Sequence, residues 1–251
     1  MCTVSWFVTP KGYELFFNRD ESKKRAEALA PEKFTSATVD FLSPTDLQGG
    51  GSWVATNQLG ITVCLLNLYT DIDLEESEHY FSRGKIIRDI AYLASLDEIY
   101  QHITKFDLSF FRTFRVFAID SSGKNILIAW NGEKLTIEHD ASAPKSSSSV
   151  DTQKVVAGRK ALFKEVGLQN STDRAAFFAY QRSHEPNKNY SVCVHRELTQ
   201  TVSLSHIVVD DQSVVFDYFN GSPCENLEPI SQEISRTSID SQFDVARNDF
   251  H

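Results

Sequence analysis

The segment that most restricts the fold is the first. Residues 2–8 (CTVSWFV) and 13–19 (YELFFNR) are both rich in β-branched and aromatic side chains. Between them lies TPKG, with Pro10 and Gly12 placed to turn the chain. Such a pair predicts a β-hairpin. The hairpin has a chemical consequence, because antiparallel pairing carries position 2 back to positions 17–20. Cys2 then sits beside the polar run Asn18, Arg19, Asp20 and Glu21 that ends the second strand.

The remaining chain alternates between strand and helix patterns. Glu21 to Ala30 is rich in Lys, Glu and Ala and stops at Pro31, which predicts a short helix or a solvated loop. QGGGSW at 48–53 reads as a flexible lead-in to a second hairpin. That hairpin is WVAT, a turn at Asn57–Gly60, and ITVCLLNLY at 61–69, whose almost wholly apolar run predicts burial on both faces. From Lys85 to Phe106 the period becomes helical, with Ile86, Ile87, Ile90, Leu93 and Ala94 on one face. Ser95 with Glu98 forms a capping box that starts a second helix. Strands are expected at 112–119, 125–131 and 134–139, then a small-residue linker, ASAPKSSSSVDTQ, at 141–153. Helices at 154–166 and 173–182 precede strands at 190–198, 201–209 and 213–219. A polar, acidic tail runs from about 225. This order predicts one α+β domain over residues 1–251, with two mainly antiparallel sheets between two helix layers.

Charge and composition exclude several functions. The 251 residues carry a formal net charge of -9, so the basic stripe of a nucleic-acid binder is missing. No window approaches the roughly 18 apolar residues of a membrane span. No secretory leader is visible at the N-terminus. The four cysteines, Cys2, Cys64, Cys193 and Cys224, are widely spaced and form no C-x-x-C pair. Together these features predict a cytoplasmic protein with reduced thiols. GGGSW lacks the Gly-Lys-Ser/Thr ending of a phosphate loop, and is read as backbone freedom near Trp53, which would flank a pocket. CVHRE at 193–197 is read as strand alternation, with Cys193 and His195 on one face, in preference to metal or haem ligation. No metal and no cofactor are therefore expected.

Position 2 carries the chemical interest. Methionine aminopeptidase removes Met1 when the second residue is small, and this would leave Cys2 with a free α-amine. That amine has an ordinary pKa near 7.7–8.0 and can act as a base near pH 7. The thiol is an intrinsically strong nucleophile. One residue would thus supply nucleophile and base, with Asp20 placed to orient the amine.

MCT followed by NRDES, GGGSWVATNQLG and LLNLY resembles the family named after its Asn-Arg-Asp-Glu tetrad, to which transport-and-Golgi-organisation proteins belong. The helix DTQKVVAGRKALF adds a weaker likeness. That family is similar to the N-terminal-nucleophile hydrolases, which implies a four-layer αββα sandwich. A more distant likeness is to bile-salt hydrolases and penicillin V acylases, which also begin Met-Cys. Their N-x-D segment lies over Asn18-Arg19-Asp20. Their G-x-N-E-x-G-L…G-L-N stretch resembles ATNQLGITVCLLN, which implies an oxyanion-hole role for Asn67. The match departs in three places. Phe17 stands where the acylases have an arginine, and KSSSSV stands where they have a second asparagine, so that Ser147 or Ser148 replaces it. Arg196 is the candidate for their late arginine.

The expected catalytic set is Cys2, Asp20 and Asn67, with Asn18, Arg19, Glu21, Trp53 and Asn57 as binding or supporting residues. Two functions follow from the resemblance. One is an N-terminal-cysteine hydrolase of a C–N amide bond in a small molecule. The other is a carrier on the same fold for a hydrophobic ligand such as haem.

Overall fold

The computed structural model describes residues 2–36, 38–70, 80–225 and 228–237. β1 (Cys2–Thr9) and β2 (Gly12–Ser22) form the expected hairpin, in register from Cys2 opposite Arg19 to Thr9 opposite Gly12. They sit inside a six-stranded antiparallel sheet. Its other members are β10 (Lys145–Ser146), β11 (Thr199–Val209), β12 (Ser213–Asn220) and β13 (Ile230–Ser235), in the order β10-β1-β2-β11-β12-β13. The second sheet runs in sequence order: β3 (Leu29–Phe34), β4 (Phe41–Thr45), β5 (Val54–Asn57), β6 (Thr62–Asn67), β7 (Phe114–Ile119), β8 (Asn125–Trp130) and β9 (Leu135–His139).

The two sheets pack face to face. Val4, Trp6, Leu15 and Phe17 from the first meet Val54, Cys64, Leu66 and Phe117 from the second in one buried layer. Helices α1 (Gly84–Ile90) and α2 (Leu96–Ile103) cover the outside of the second sheet, where Ile86, Ile90, Ile99 and Ile103 pack on Val63, Phe114 and Val116. Helices α3 (Thr152–Glu165) and α4 (Arg174–Arg182) cover the first through Phe163, Phe177 and Tyr180 on Phe7 and Phe16. The result is the expected αββα sandwich. Both sheets are buried on both faces, which explains why their central strands read as near-continuous apolar runs. The capping box is also present: the Ser95 hydroxyl accepts the Glu98 N–H at 3.1 Å, and the Glu98 carboxylate accepts the Ala94 N–H at 2.8 Å.

Several expectations are overturned. Of the two forms open to Glu21–Ala30, the loop and not the helix is present, and it is confined to residues 23–28 between two strands. β2 runs on to Ser22 because Ser22 pairs with Thr199, and Leu29 already pairs with Thr45, so sheet pairing overrides a weak helix propensity. The 141–153 segment is not a solvated linker. Ser146 pairs with Thr3, and Ser146, Ser147 and Ser148 are all buried. QGGGSW is tight rather than flexible: a Cβ on Gly51 would lie 2.3 Å from the Gly84 carbonyl carbon. No strand forms over 190–198. The Cys193 N–H bonds Ser183 O and the His195 N–H bonds Lys188 O, so this apolar stretch folds back on the exit of α4. Its β-prone residues were reporting burial. The polar, acidic tail from about 225, to which no element was assigned, contains β13, which pairs with β12.

Candidate active site

Strand alternation divides the Asn-Arg-Asp-Glu run between two faces of the sheet. Arg19 and Glu21 share a face with Cys2 and border a polar cavity of about 450 Å3 between the sheets, also lined by Trp53, Asn67 and Arg83. The Arg19 guanidinium lies 4.2 Å from the centre of the Trp53 ring and within ion-pair reach of Glu21 (3.4 Å) and Asp46 (3.5 Å). Arg25 holds Asp46 more tightly, at 2.6 Å. The side chains of Asn18 and Asp20 point the other way, under α3 and α4.

Asn18 is a clamp. Its amide donates to Gln181 O at 2.8 Å and Val192 O at 3.2 Å, and the residue is fully buried. Asp20 is held by the Thr201 hydroxyl at 2.7 Å and faces Arg159 at 3.6 Å, both residues being almost fully buried. Burial pushes the Asp20 carboxyl above its ordinary range, against the pull of Arg159. Arg159 also donates to the Thr3 hydroxyl at 2.6 Å and to Tyr190 O at 3.3 Å. It therefore joins β1, β2 and the 190–196 segment.

Burial raises the Cys2 thiol pKa and Asp20 adds to the rise, while Arg19 opposes it and the Asp20 backbone amide pulls it down only weakly. The Cys2 backbone nitrogen donates to Ser147 Oγ at 3.0 Å, and Ser147 N–H returns a bond to Cys2 O at 2.9 Å. Of the two serines left open by the sequence, Ser147 meets Cys2. Ser148 bonds Val150 O at 2.6 Å and accepts from Arg196 at 3.3 Å.

The other expected residues separate. Asn67 reaches the cavity at the end of β6, and its amide donates to the Tyr69 hydroxyl at 3.1 Å. By strand parity it belongs to the face opposite Leu66, so it enters at the rim. Asn57 does not border this cavity. It is fully buried, donates to Ala91 O and Leu93 O at 3.0 Å each, and accepts the N–H groups of Leu59 and Ile61. It holds the β5–β6 turn against α1. Arg159 was missed by the sequence reading, although a signal existed. Val155, Arg159 and Phe163 recur every four residues on the buried face of α3, and an arginine inside an apolar stripe needs a buried partner.

The family model for Transport and Golgi organisation 2 matches residues 1–222. No curated protein matches significantly. Among solved structures, the chain is similar to the Caenorhabditis elegans orthologue of N-acylethanolamine-hydrolyzing acid amidase, at 12% identity and a TM-score of 0.61 over 83% of this chain and 92% of that one. It is similar to penicillin V acylase from Agrobacterium tumefaciens, at 13% identity and a TM-score of 0.53 over 93% and 86%. It also resembles the C2A mutant of conjugated bile acid hydrolase from Clostridium perfringens, at 13% identity and a TM-score of 0.55 over 94% and 97%. At such identities the likeness establishes the N-terminal-nucleophile hydrolase fold. By the span of the family match, the chain belongs to the Transport and Golgi organisation 2 family.

Proposed function

We propose that this protein is an N-terminal-cysteine hydrolase of a C–N amide bond. The observation that carries the reading is the environment of the Cys2 nitrogen. It faces the Ser147 hydroxyl, with Asp20 in the neighbouring strand and Cys2 bordering the polar cavity. Once Met1 is removed, that nitrogen becomes the α-amine. The thiol passes its proton to the amine and attacks the amide carbonyl. The tetrahedral oxyanion takes a hydrogen bond from Asn67, and the ammonium returns the proton to the leaving nitrogen. Water then enters by the same route and hydrolyses the thioester. Ser147 and Asp20 orient the amine, and Arg159 holds Asp20. Arg19 and Arg25 are paired with Glu21 and Asp46, but Arg83 and Arg112 also border the cavity, which favours an amide substrate carrying a carboxylate. The acid amidase, penicillin acylase and bile acid hydrolase relatives of the fold support amide chemistry by analogy.

The test is hydrolysis of a panel of N-acyl amino acids and N-acyl ethanolamines by Met1-processed protein. Release of free amine that is abolished in Cys2→Ala and reduced at least about tenfold in Asn67→Ala supports the reading. Hydrolysis by the Cys2→Ala protein at the wild-type rate overturns it.

A carrier role on the same fold is the second reading, and one observation favours it. Cys2 is only 7% exposed, and its burial disfavours the thiolate. Stoichiometric, non-hydrolysed binding of a hydrophobic ligand such as haem, unaffected by Cys2→Ala, would support this role.

A further inference from the structure

His184, Cys193, His195 and Cys224 come from three separate stretches of chain. His184 follows α4, Cys193 and His195 lie on the irregular 190–196 segment, and Cys224 sits in the single 3-10 turn Pro223–Glu225 after β12. Their ligand atoms all lie within 4.8 Å of one another. Cys193 Sγ is 3.4 Å and Cys224 Sγ 3.3 Å from His195 Nε2, and the His184 and His195 rings meet edge-on at 5.1 Å. In a tetrahedral zinc site, Zn–S bonds of about 2.3 Å and Zn–N bonds of about 2.0 Å set sulfur and nitrogen ligands about 3.5 Å apart. Both sulfur–imidazole separations already match that edge. Hydrogen bonding alone accounts poorly for the cluster. One imidazole nitrogen carries at most one proton, so His195 Nε2 cannot donate to both sulfurs. His184 Nε2 is buried with no hydrogen-bond partner among the described residues, and a buried nitrogen left in that state is costly.

We infer that His184, Cys193, His195 and Cys224 form a structural zinc site. Two thiolates and two neutral imidazoles complete the four-coordinate shell, and the two thiol protons leave to solvent as the Zn2+ ion binds. The resulting centre is uncharged, which suits its partly buried position. Four donors converging on one point suit a bare ion. A macrocycle would need its equator free.

The site lies behind the Asn-Arg-Asp-Glu face, and its role follows from what the 190–201 chain touches. Asn18 donates to Val192 O, Arg159 donates to Tyr190 O, and Val194 N–H donates to the Thr201 hydroxyl that holds Asp20. On the anchored segment itself, Tyr190, Val192 and Val194 lie outside any regular strand. The metal supplies the fixation that the missing strand would have given, pinning to α4 and the 224 turn the segment on which the side chains of the tetrad's hidden face depend.

The experiment is elemental analysis of the full-length protein purified under reducing conditions, with cobalt reconstitution as an independent readout. About one zinc per chain is expected. In Cys193→Ser and Cys224→Ser the content should fall below about a tenth of an equivalent, while Cys64→Ala retains it. Cobalt should give intense visible bands with a thiolate charge-transfer band in the near ultraviolet, the signature of tetrahedral sulfur ligation. This reading uses wild-type protein and so survives any misfolding of the variants. Chelation should speed hydrogen exchange across residues 190–201. Folded wild-type protein that binds neither zinc nor cobalt in stoichiometric amount overturns the inference. So does a Cys193–Cys224 disulfide persisting under reductant.

Discussion

Removing Arg159 should expose how strongly the site depends on one buried charge pair. In Arg159→Met the side-chain volume is roughly kept, but Asp20 loses the guanidinium at 3.6 Å, and Thr3 Oγ1 and Tyr190 O lose their donor bonds. Asp20 is 1% exposed. Stripping one partner from such a pair costs about 3–5 kcal/mol, because the surviving charge stays buried. The cost should depend on pH with a definite sign. Burial already raises the Asp20 pKa in the folded protein above its ordinary 3.8, and losing Arg159 raises it further. A raised folded value means that stability from this group is present at low pH and is lost as pH rises through that value. The variant's deficit should therefore be greatest near pH 7 and should shrink toward pH 4 as Asp20 takes up a proton. Urea unfolding at several pH values measures it, and the double variant Asp20→Asn/Arg159→Met should recover at least about half the loss, because the unpaired charge is gone. A loss below about 1 kcal/mol at pH 7, or a double variant no more stable than Arg159→Met, would show that Arg159 does not offset a buried charge on Asp20.

Other perturbations separate the site from its scaffold. Burial alone would raise the Glu14 pKa, but hydrogen bonds from His206 (2.9 Å) and Arg174 (2.7 Å) more than cancel it, leaving the folded value below its ordinary 4.5. Stability from Glu14 is thus present above pH 4.5 and lost as pH falls below it. Glu14→Gln should cost about 2 kcal/mol at pH 7 and flatten the acid limb of the stability curve, measured by thermal melts from pH 3 to 7. Asn57→Ala should cost about 3 kcal/mol, since it strands one buried and one half-buried carbonyl and two buried N–H groups; denaturant titration checks this, with thiol labelling of Cys2 unchanged in the folded protein. Gly51→Ala should destabilise the chain and distort the cavity wall, because its Cβ would meet Gly84 backbone at 2.3 Å. A melting temperature equal to wild type would show that the two loops can separate.

The sequence disclosed what local chemistry encodes. Pro10 and Gly12 between two β-prone runs announced the first hairpin, and with it the meeting of Cys2 and the tetrad. Ser95 and Glu98 announced the start of α2. Strand parity, applied to residues 18–21, would also have separated Arg19 and Glu21 from Asn18 and Asp20. What stayed hidden was contact across long stretches of chain. Arg159 meets Asp20 from 139 positions away, and no local pattern links the two. Ser147 lies in a run that reads as linker because serine is polar, yet its hydroxyl and backbone are used by Cys2. His184, Cys193, His195 and Cys224 have no regular spacing, so only the fold of the irregular 190–196 segment assembles them.

The proposed hydrolysis requires Cys2 to work through its own α-amine. The most direct test is the intact mass of the native protein, purified without an N-terminal tag. A chain lighter by one methionine is expected, with Cys2 first and its amine unmodified. Protein that retains Met1, or that carries an acetylated Cys2, has no free amine to move the proton, and would contradict the claim.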